Sequence, residues 1–300
     1  MKLRRLLPQD REAAARLIHT ALDTWYRRNL NSDKFGDDWQ PFQIFADTYE
    51  SLDPGCCVTA YDEQDTLLGC AFYHPRPTHV GIGIVATHPT AGGRGIARAM
   101  IEEIIRQSAG RPLRLVSSAM NLDSFSLYTR LGFVPHQTYQ DLSLTVPADL
   151  PWHGQPTRPA TPADIPAIAD LEFRLHGLRR EHDYHFFLQD PTGPWRIMIQ
   201  ENQNGTLRGF LAASLHPACR MLGPGTAEDE TTMADLIHAQ LHHHFQGHNA
   251  LWLAPVHCPI LIRQAYAWGA RNVELHLAST LGPPPKNHGI HLPTFLPESG

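Results

Sequence analysis

Apolar positions in the first half of the chain follow two rhythms. Apolar residues three or four apart predict helices over 10–22, 41–52, 95–108 and 123–131. Short apolar runs rich in β-branched and aromatic residues predict strands over 3–6, 57–62, 67–73, 80–87, 113–117 and 139–146. The clearest helix pattern, Ile96, Met100, Ile101, Ile104 and Ile105, follows directly on a strand and stops at Gly110. Helices and strands alternate, so the fold class is α/β (α+β).

The pattern breaks in PADLPWHGQPTRPATP (147–162), where prolines and polar residues interrupt it. On either side the chain repeats. LRRLLPQDREAAARL (3–17) and TRPATPADIPAIADL (157–171) match Arg4, Pro8 and Asp10 to Arg158, Pro162 and Asp164 at a constant offset. LLGCAFYHP (67–75) resembles LRGFLAASLHP (207–217), and the strand, helix, glycine, strand plan of 113–139 returns at 251–277. These matches predict a domain over 1–147, a linker over 148–156 and a second copy over 157–280. The proline-rich tail, 281–300, is expected to lie extended over a domain without regular structure.

Composition narrows the function. A chain of 300 residues, 42% hydrophobic and 18% charged, is long enough for two ordinary cores. A net charge of -5 offers no basic field for a phosphate backbone, so nucleic acid is not an expected partner. No apolar run approaches the ~18 residues of a membrane span, and the start breaks into charges too early for a secretory leader, which predicts a cytoplasmic protein. Five cysteines without a CxxC read as reduced, mostly buried thiols. The histidines His238, His242, His243 and His244 contain an i, i+4 pair but no further ligand. They read as a solvated helix face, and no metal is expected.

The chemistry concentrates in HVGIGIVATHPTAGGRGIARAMIEEIIRQSAG (79–110). A strand ends at His88-Pro89, and a loop with Gly92, Gly93, Arg94 and Gly95 opens the next helix. Glycines let backbone N–H groups approach a ligand, and a helix N-terminus favours negative charge, so the loop suits a pyrophosphate. The glycine spacing is that of neither a Rossmann nor a Walker A loop.

GGRGIA (92–97) resembles the pyrophosphate loop of the GNAT superfamily of acyl-CoA-dependent N-acetyltransferases, R/Q-x-x-G-x-G/A. Gly95 and Ala97 fill its last two fixed positions, while Gly92 stands where Arg or Gln is usual. NLDSFSLYTRLGF (121–133) resembles the family's later signature N-x-x-A-x-x-x-Y-x-x-x-G-F. Asn121, Tyr128, Gly132 and Phe133 are in register, and Ser124 replaces the alanine.

The resemblance implies two tandem GNAT-like domains, each a mixed, centrally splayed sheet flanked by helices. It implies acetyl-CoA as cosubstrate and a primary amine on a small molecule or peptide as acceptor. Gly92, Gly93, Arg94, Gly95, Ile96 and Ala97 would then hold the pyrophosphate, Val85 and Thr87 the pantetheine arm, and Asn121 and Ser124 would border the cofactor. The Val85 N–H would stabilise the oxyanion, and Tyr128 would protonate the leaving thiolate. His79 is the candidate proton acceptor, with His74, Glu50 and Asp47 as alternatives.

The aromatic run Trp25, Tyr26, Phe35, Trp39, Phe42, Phe45 and Tyr49 is either acceptor pocket or core, with Asp37, Asp38 and Glu50 available to an ammonium. In the second copy Ala265 takes the place of Tyr128. Glu228, Asp229 and Glu230 at the start of its helix would repel a pyrophosphate, which predicts one cofactor site per chain. The alternative to an enzyme is a non-catalytic acyl-CoA-binding sensor.

Overall fold

In the first half the strand patterns pair in sequence order. The computed structural model describes residues 1–151 and 154–298; Trp152 and His153 of the proline-rich seam and the final Ser299 and Gly300 lie outside the described residues. The first of two compact units takes Met1–Leu115 and the tail from Phe295 onward; the second takes Val116–Thr294.

In the first unit β1 (Lys2–Arg5), α1 (Arg11–Leu30), α2 (Gln43–Leu52), β2 (Cys57–Tyr61), β3 (Leu67–Pro75), β4 (Val80–Thr87) and α3 (Ile96–Gln107) follow in order. The four strands pair antiparallel as β1-β2-β3-β4. Strand β5 (Leu113–Ser118) joins β4 in parallel, and that pairing is confined to Val80↔Leu113 and Gly81↔Arg114.

Strand β3 is buried on both faces, which is why its sequence is a continuous apolar run. Gly69 faces α3, where an added Cβ would stand 2.9 Å from Met100 Cε and 3.0 Å from Ile96 Cγ2. Tyr73 on the same face donates its hydroxyl to Gln107 of α3. Phe72 and His74 face the other way, their rings each 4.8 Å from that of Tyr49 in α2. Between Ala71↔Val85 and Tyr73↔Ile82, β4 holds one residue more than β3, a bulge at Gly83 and Ile84.

In the second unit the elements are α4 (Leu122–Arg130), β6 (Val134–Thr145), β7 (Arg158–Pro159), α5 (Ile165–His176), α6 (Glu181–Leu188), β8 (Trp195–Glu201) and β9 (Leu207–Ser214). They continue as β10 (Met221–Ala227), α7 (Glu230–His244), β11 (Asn249–Pro255), α8 (Pro259–Ala267), β12 (Arg271–Leu281) and β13 (Ile290–Leu292). The strand order is β12-β6-β11-β10-β9-β8-β7, with β13 on β10. Its core gathers Leu142 and Leu144 of β6 with Trp252, Met233, Leu236 and Ile237.

Because β6 lies between β11 and β12, antiparallel to both, the compact units divide at Leu115/Val116 and not in the proline-rich seam. The sequence repeat and the packing therefore divide the chain differently.

Several expectations are corrected. Helix α1 runs on to Leu30, closed by Asn31 in the left-handed region at φ 49°. Part of the tail is regular, since Ile290–Leu292 forms β13. Prolines flank this stretch without interrupting its hydrogen bonds to β10. The histidine helix face is only partly solvated: His243 is exposed, but His238 is buried and stacked on Trp268, and His242 Nδ1 lies 2.7 Å from the Leu150 carbonyl. Phe125 and Leu131 are only half-buried; Tyr128 is the buried residue of α4.

Candidate functional site

The glycine loop stands where the strand-to-helix switch predicts, between β4 and α3. His88 caps the preceding turn by accepting from Thr90 N–H. Gly92, Gly93, Arg94 and Gly95 are exposed, while Ile96 turns into the core. Gly93 and Gly95 adopt φ 75° and 74°, and a Cβ at either would meet nothing within 4 Å. Backbone conformation, not packing, requires glycine there. No side chain caps the start of α3 and its first turn carries no acid, so the first N–H groups of Ile96, Ala97 and Arg98 are left to an anion.

Val85 pairs with Ala71 and Thr87 with Gly69 on the inner edge of β4. Beyond Gly81 the opposite edge is no longer paired with β5, as a splayed sheet requires. Helix α4 opens with Asn121, whose Oδ1 accepts from Ser124 N–H at 3.0 Å, so both residues form the N-cap. Tyr128 is buried in α4 against Phe133, ring centroids 5.9 Å apart.

The candidate proton acceptors differ sharply. His79 is buried just before β4, its Nδ1 3.0 Å from Thr78 Oγ1. Glu50 accepts from Gly55 N–H, and burial raises its pKa. His74 lies in a polar cluster that sequence reading did not assemble. Its Nδ1 is 2.6 Å from Asp53 Oδ2, and Arg76 donates to both Asp53 oxygens at 2.8 and 2.9 Å. All three side chains are buried. Burial pushes the Asp53 carboxyl up, but the bonds from His74 and Arg76 outweigh it and hold the group below the ordinary carboxylate range.

The aromatic run is core at its C-terminal end and half-buried before it. Phe42, Phe45 and Tyr49 are buried, and a chain of ring contacts leads from Trp25 through Tyr26, Phe35, Phe42 and Phe45 to Tyr49. Asp37 is paired with Arg27 at 3.0 Å.

In the second unit the counterpart positions are occupied by the chain itself. Asp229 caps α7 by accepting from Thr232 N–H and is paired with Arg208. Glu228 pairs with Arg174 at 2.8 Å, and Glu230 accepts from Ile260 and Leu261 N–H at the start of α8. Strand β10 pairs with β11 at Met221↔Leu251 alone; farther on, the same edge pairs with β13 from Gly225↔Leu292 to Ala227↔Ile290. A separate buried group, Asp141, Glu274 and His276, brings its ligand atoms within 4.8 Å of one another. It is bonded internally, His276 Nδ1 to Asp141 at 2.7 Å, and Ser118 donates to Glu274.

Residues 18–133 match the model of the acetyltransferase (GNAT) family. Similar solved structures include a candidate acetyltransferase from Pyrococcus horikoshii, 13% identical, covering 100% of this chain and 95% of that one at a TM-score of 0.78. A GCN5-related N-acetyltransferase from Sphaerobacter thermophilus is 16% identical, with 93% and 95% covered at 0.62. A tandem GNAT protein of the clavulanic acid biosynthesis pathway is 15% identical, with 94% and 99% covered at 0.61. No curated protein matches the chain. No helix among the described residues is long and apolar enough to cross a membrane. Residues 18–133 thus match the GNAT acetyltransferase family, in a chain with the mixed α/β fold of the solved GNAT proteins.

Proposed function

We propose that the chain transfers an acetyl group from acetyl-CoA to a primary amine of a small molecule or peptide, by direct attack of the amine on the thioester. The observation that carries this reading is the exposed, uncapped, acid-free start of α3, reached through Gly93 and Gly95 in the left-handed region. Backbone N–H groups there meet a pyrophosphate without competition from a side-chain carboxylate. Gly92 and Arg94 border the same anion seat, and the Val85 and Thr87 backbone of β4 takes the pantetheine arm. The Val85 N–H serves the oxyanion that forms when the amine attacks. Tyr128 donates a proton to the departing thiolate, both groups having ordinary pKa values above neutrality.

Calorimetric titration of the full chain with acetyl-CoA tests the reading. One site per chain is expected, because the start of α7 is capped by Asp229 and the edge of β10 is filled by β13. Absence of binding overturns the reading. Two sites would overturn the asymmetry between the halves.

A further inference from the structure

The tail returns to the first unit and brings a carboxyl group with it. Tyr49 donates its hydroxyl to the Phe295 carbonyl at 2.9 Å, which anchors the segment over α2. Three residues on, Glu298 is half-buried, but its Oε2 atom is buried and has no hydrogen-bond partner. On the facing strand, His74 Nε2 is also buried and unpartnered. Both atoms flank the point where Gly83 lacks a side chain: a Cβ there would stand 3.1 Å from His74 Nε2 and 3.6 Å from Glu298 Oε2. Phe72 and Tyr49 are the apolar neighbours.

The protonation states follow from the partners. Ionised Asp53 can only accept, so His74 holds a proton on Nδ1, and in the neutral imidazole Nε2 is then the acceptor atom. An acceptor nitrogen and a carboxyl able to ionise, both unpartnered at these atoms and both beside Gly83, match a positively charged donor group. A primary ammonium has three N–H donors and is such a group. Two buried polar atoms left without partners in a folded protein call for an explanation, and a ligand supplies one.

We propose that His74 Nε2 and Glu298 Oε2 form the seat of the acceptor's primary ammonium, and that His74 takes the proton that makes the amine nucleophilic. The assignment rests on the acetyl-transfer reading for its chemistry. One N–H bond of R–NH3+ breaks as Nε2–H forms, and the freed lone pair bonds the thioester carbon. The C–S bond breaks, the thiolate takes a proton from Tyr128, the amide nitrogen passes its second proton to the Tyr128 phenolate, and His74 returns its proton to solvent. Products are the acetamide and free CoA thiol, with one net proton released.

The charged and titratable groups around the seat are Asp53 and Arg76 behind His74, and Tyr49 beside Glu298. Burial pushes the Glu298 carboxyl well above the ordinary carboxylate range, against a smaller opposing pull from its hydrogen bond with Tyr49, which favours the neutral acid there. An arriving cation favours the ionised form.

The test reads that ionisation in the full chain without needing the natural acceptor. Infrared difference spectra of wild type against Glu298→Gln isolate the Glu298 carboxyl; carbon-13 glutamate labelling assigns the band if that variant does not fold. The protonated-carboxyl stretch is expected at neutral pH, and n-butylammonium is expected to remove it, whereas n-butanol, of equal chain length but uncharged, leaves it. In His74→Gln the amine response should weaken about tenfold, the loss of one hydrogen bond to a charged group. A stretch indifferent to n-butylammonium, or equally sensitive to n-butanol, overturns the seat. Acetyl-CoA titration of the same samples separates the two readings. Retained cofactor binding with no amine response refutes the seat alone, and lost cofactor binding refutes the transfer reading while the amine response stays readable.

Discussion

Replacing Asp53 with Asn is the sharpest perturbation of the first unit, because it changes one oxygen to an amide without changing volume. Asp53 accepts two bonds from Arg76 and one from His74, and both Asp53 and Arg76 are nearly inaccessible to water. The variant leaves the guanidinium charge buried without a counter-charge and turns an amide N–H2 toward groups that are themselves donors. Breaking one side of a buried pair in this way costs about 3–5 kcal/mol. Against the 5–15 kcal/mol of a typical domain, that is about a fifth or more of the stability.

Hydrogen exchange followed by mass spectrometry on peptides of β3, β4 and α2 measures the loss locally, which avoids assuming that a chain of two units unfolds in one step. The pH dependence has a definite sign. The folded pKa of Asp53 is depressed, so its contribution is present above the unfolded carboxylate pKa and is lost as pH falls through the folded value. The gap between wild type and Asp53→Asn should therefore be constant near neutrality and close on acidification. A loss under about 1 kcal/mol at neutral pH would mean the pair behaves like a surface ion pair and would refute the reasoning.

Four further substitutions extend the test. Gly83→Ala places a methyl 3.1 Å from His74 Nε2, closer than contacts ordinarily allow; the chain should fold with a cost of about 1–3 kcal/mol and lose the infrared response to n-butylammonium, and a retained response would empty the gap of meaning. Gly95→Glu meets no neighbouring atom but puts a carboxylate on the anion seat at φ 74°; calorimetry should find no acetyl-CoA binding, and unchanged affinity would show the loop misread. Tyr128→Phe should bind acetyl-CoA normally and lose on the order of 100-fold in turnover, whereas full turnover at every pH would remove the assignment of the acid. Gly223→Ala adds a Cβ 2.3 Å from the Pro293 carbonyl at φ 130°; faster amide exchange over 290–292 is expected, and unaltered protection would mean β13 is held independently of this turn.

What the sequence disclosed was local in kind. The strand, glycine loop and helix of 80–107 are adjacent in the chain, and the amphipathic spacing of Ile96, Met100, Ile101 and Ile104 is enough to place them. The glycine stop at Gly132 is legible for the same reason, whereas Asn121 and Asp123 are equally good N-cap residues by sequence and the structure selects Asn121. Asp53, His74 and Glu298 had no such signal. They sit in three separate segments, with nothing periodic linking a loop aspartate, a strand-end histidine and a glutamate in a proline-rich tail. His74 and His79 looked equivalent as strand-end histidines, and only the tertiary bond to Asp53 separates them. Proline content hid β13, because three extended residues suffice to pair an edge and composition cannot register so short a strand.

The two units satisfy an opened sheet edge in different ways. A sheet that splays leaves backbone N–H and C=O groups along the opened edge, and these must find partners in ligand, water or chain. In the first unit β4 parts from β5 after Gly81 and its helix α3 starts bare. In the second, β10 parts from β11 after Met221, and Gly225, Thr226 and Ala227 are paired by β13 instead. The fit is close enough that Gly289, just before β13, admits no side chain: a Cβ there would lie 2.5 Å from the Ala227 carbonyl. Loss of a cofactor loop by itself would leave that edge unsatisfied. The tail strand bonds that edge, and the carboxylates of Glu228, Asp229 and Glu230 take capping and pairing roles that disfavour an anion at the start of α7.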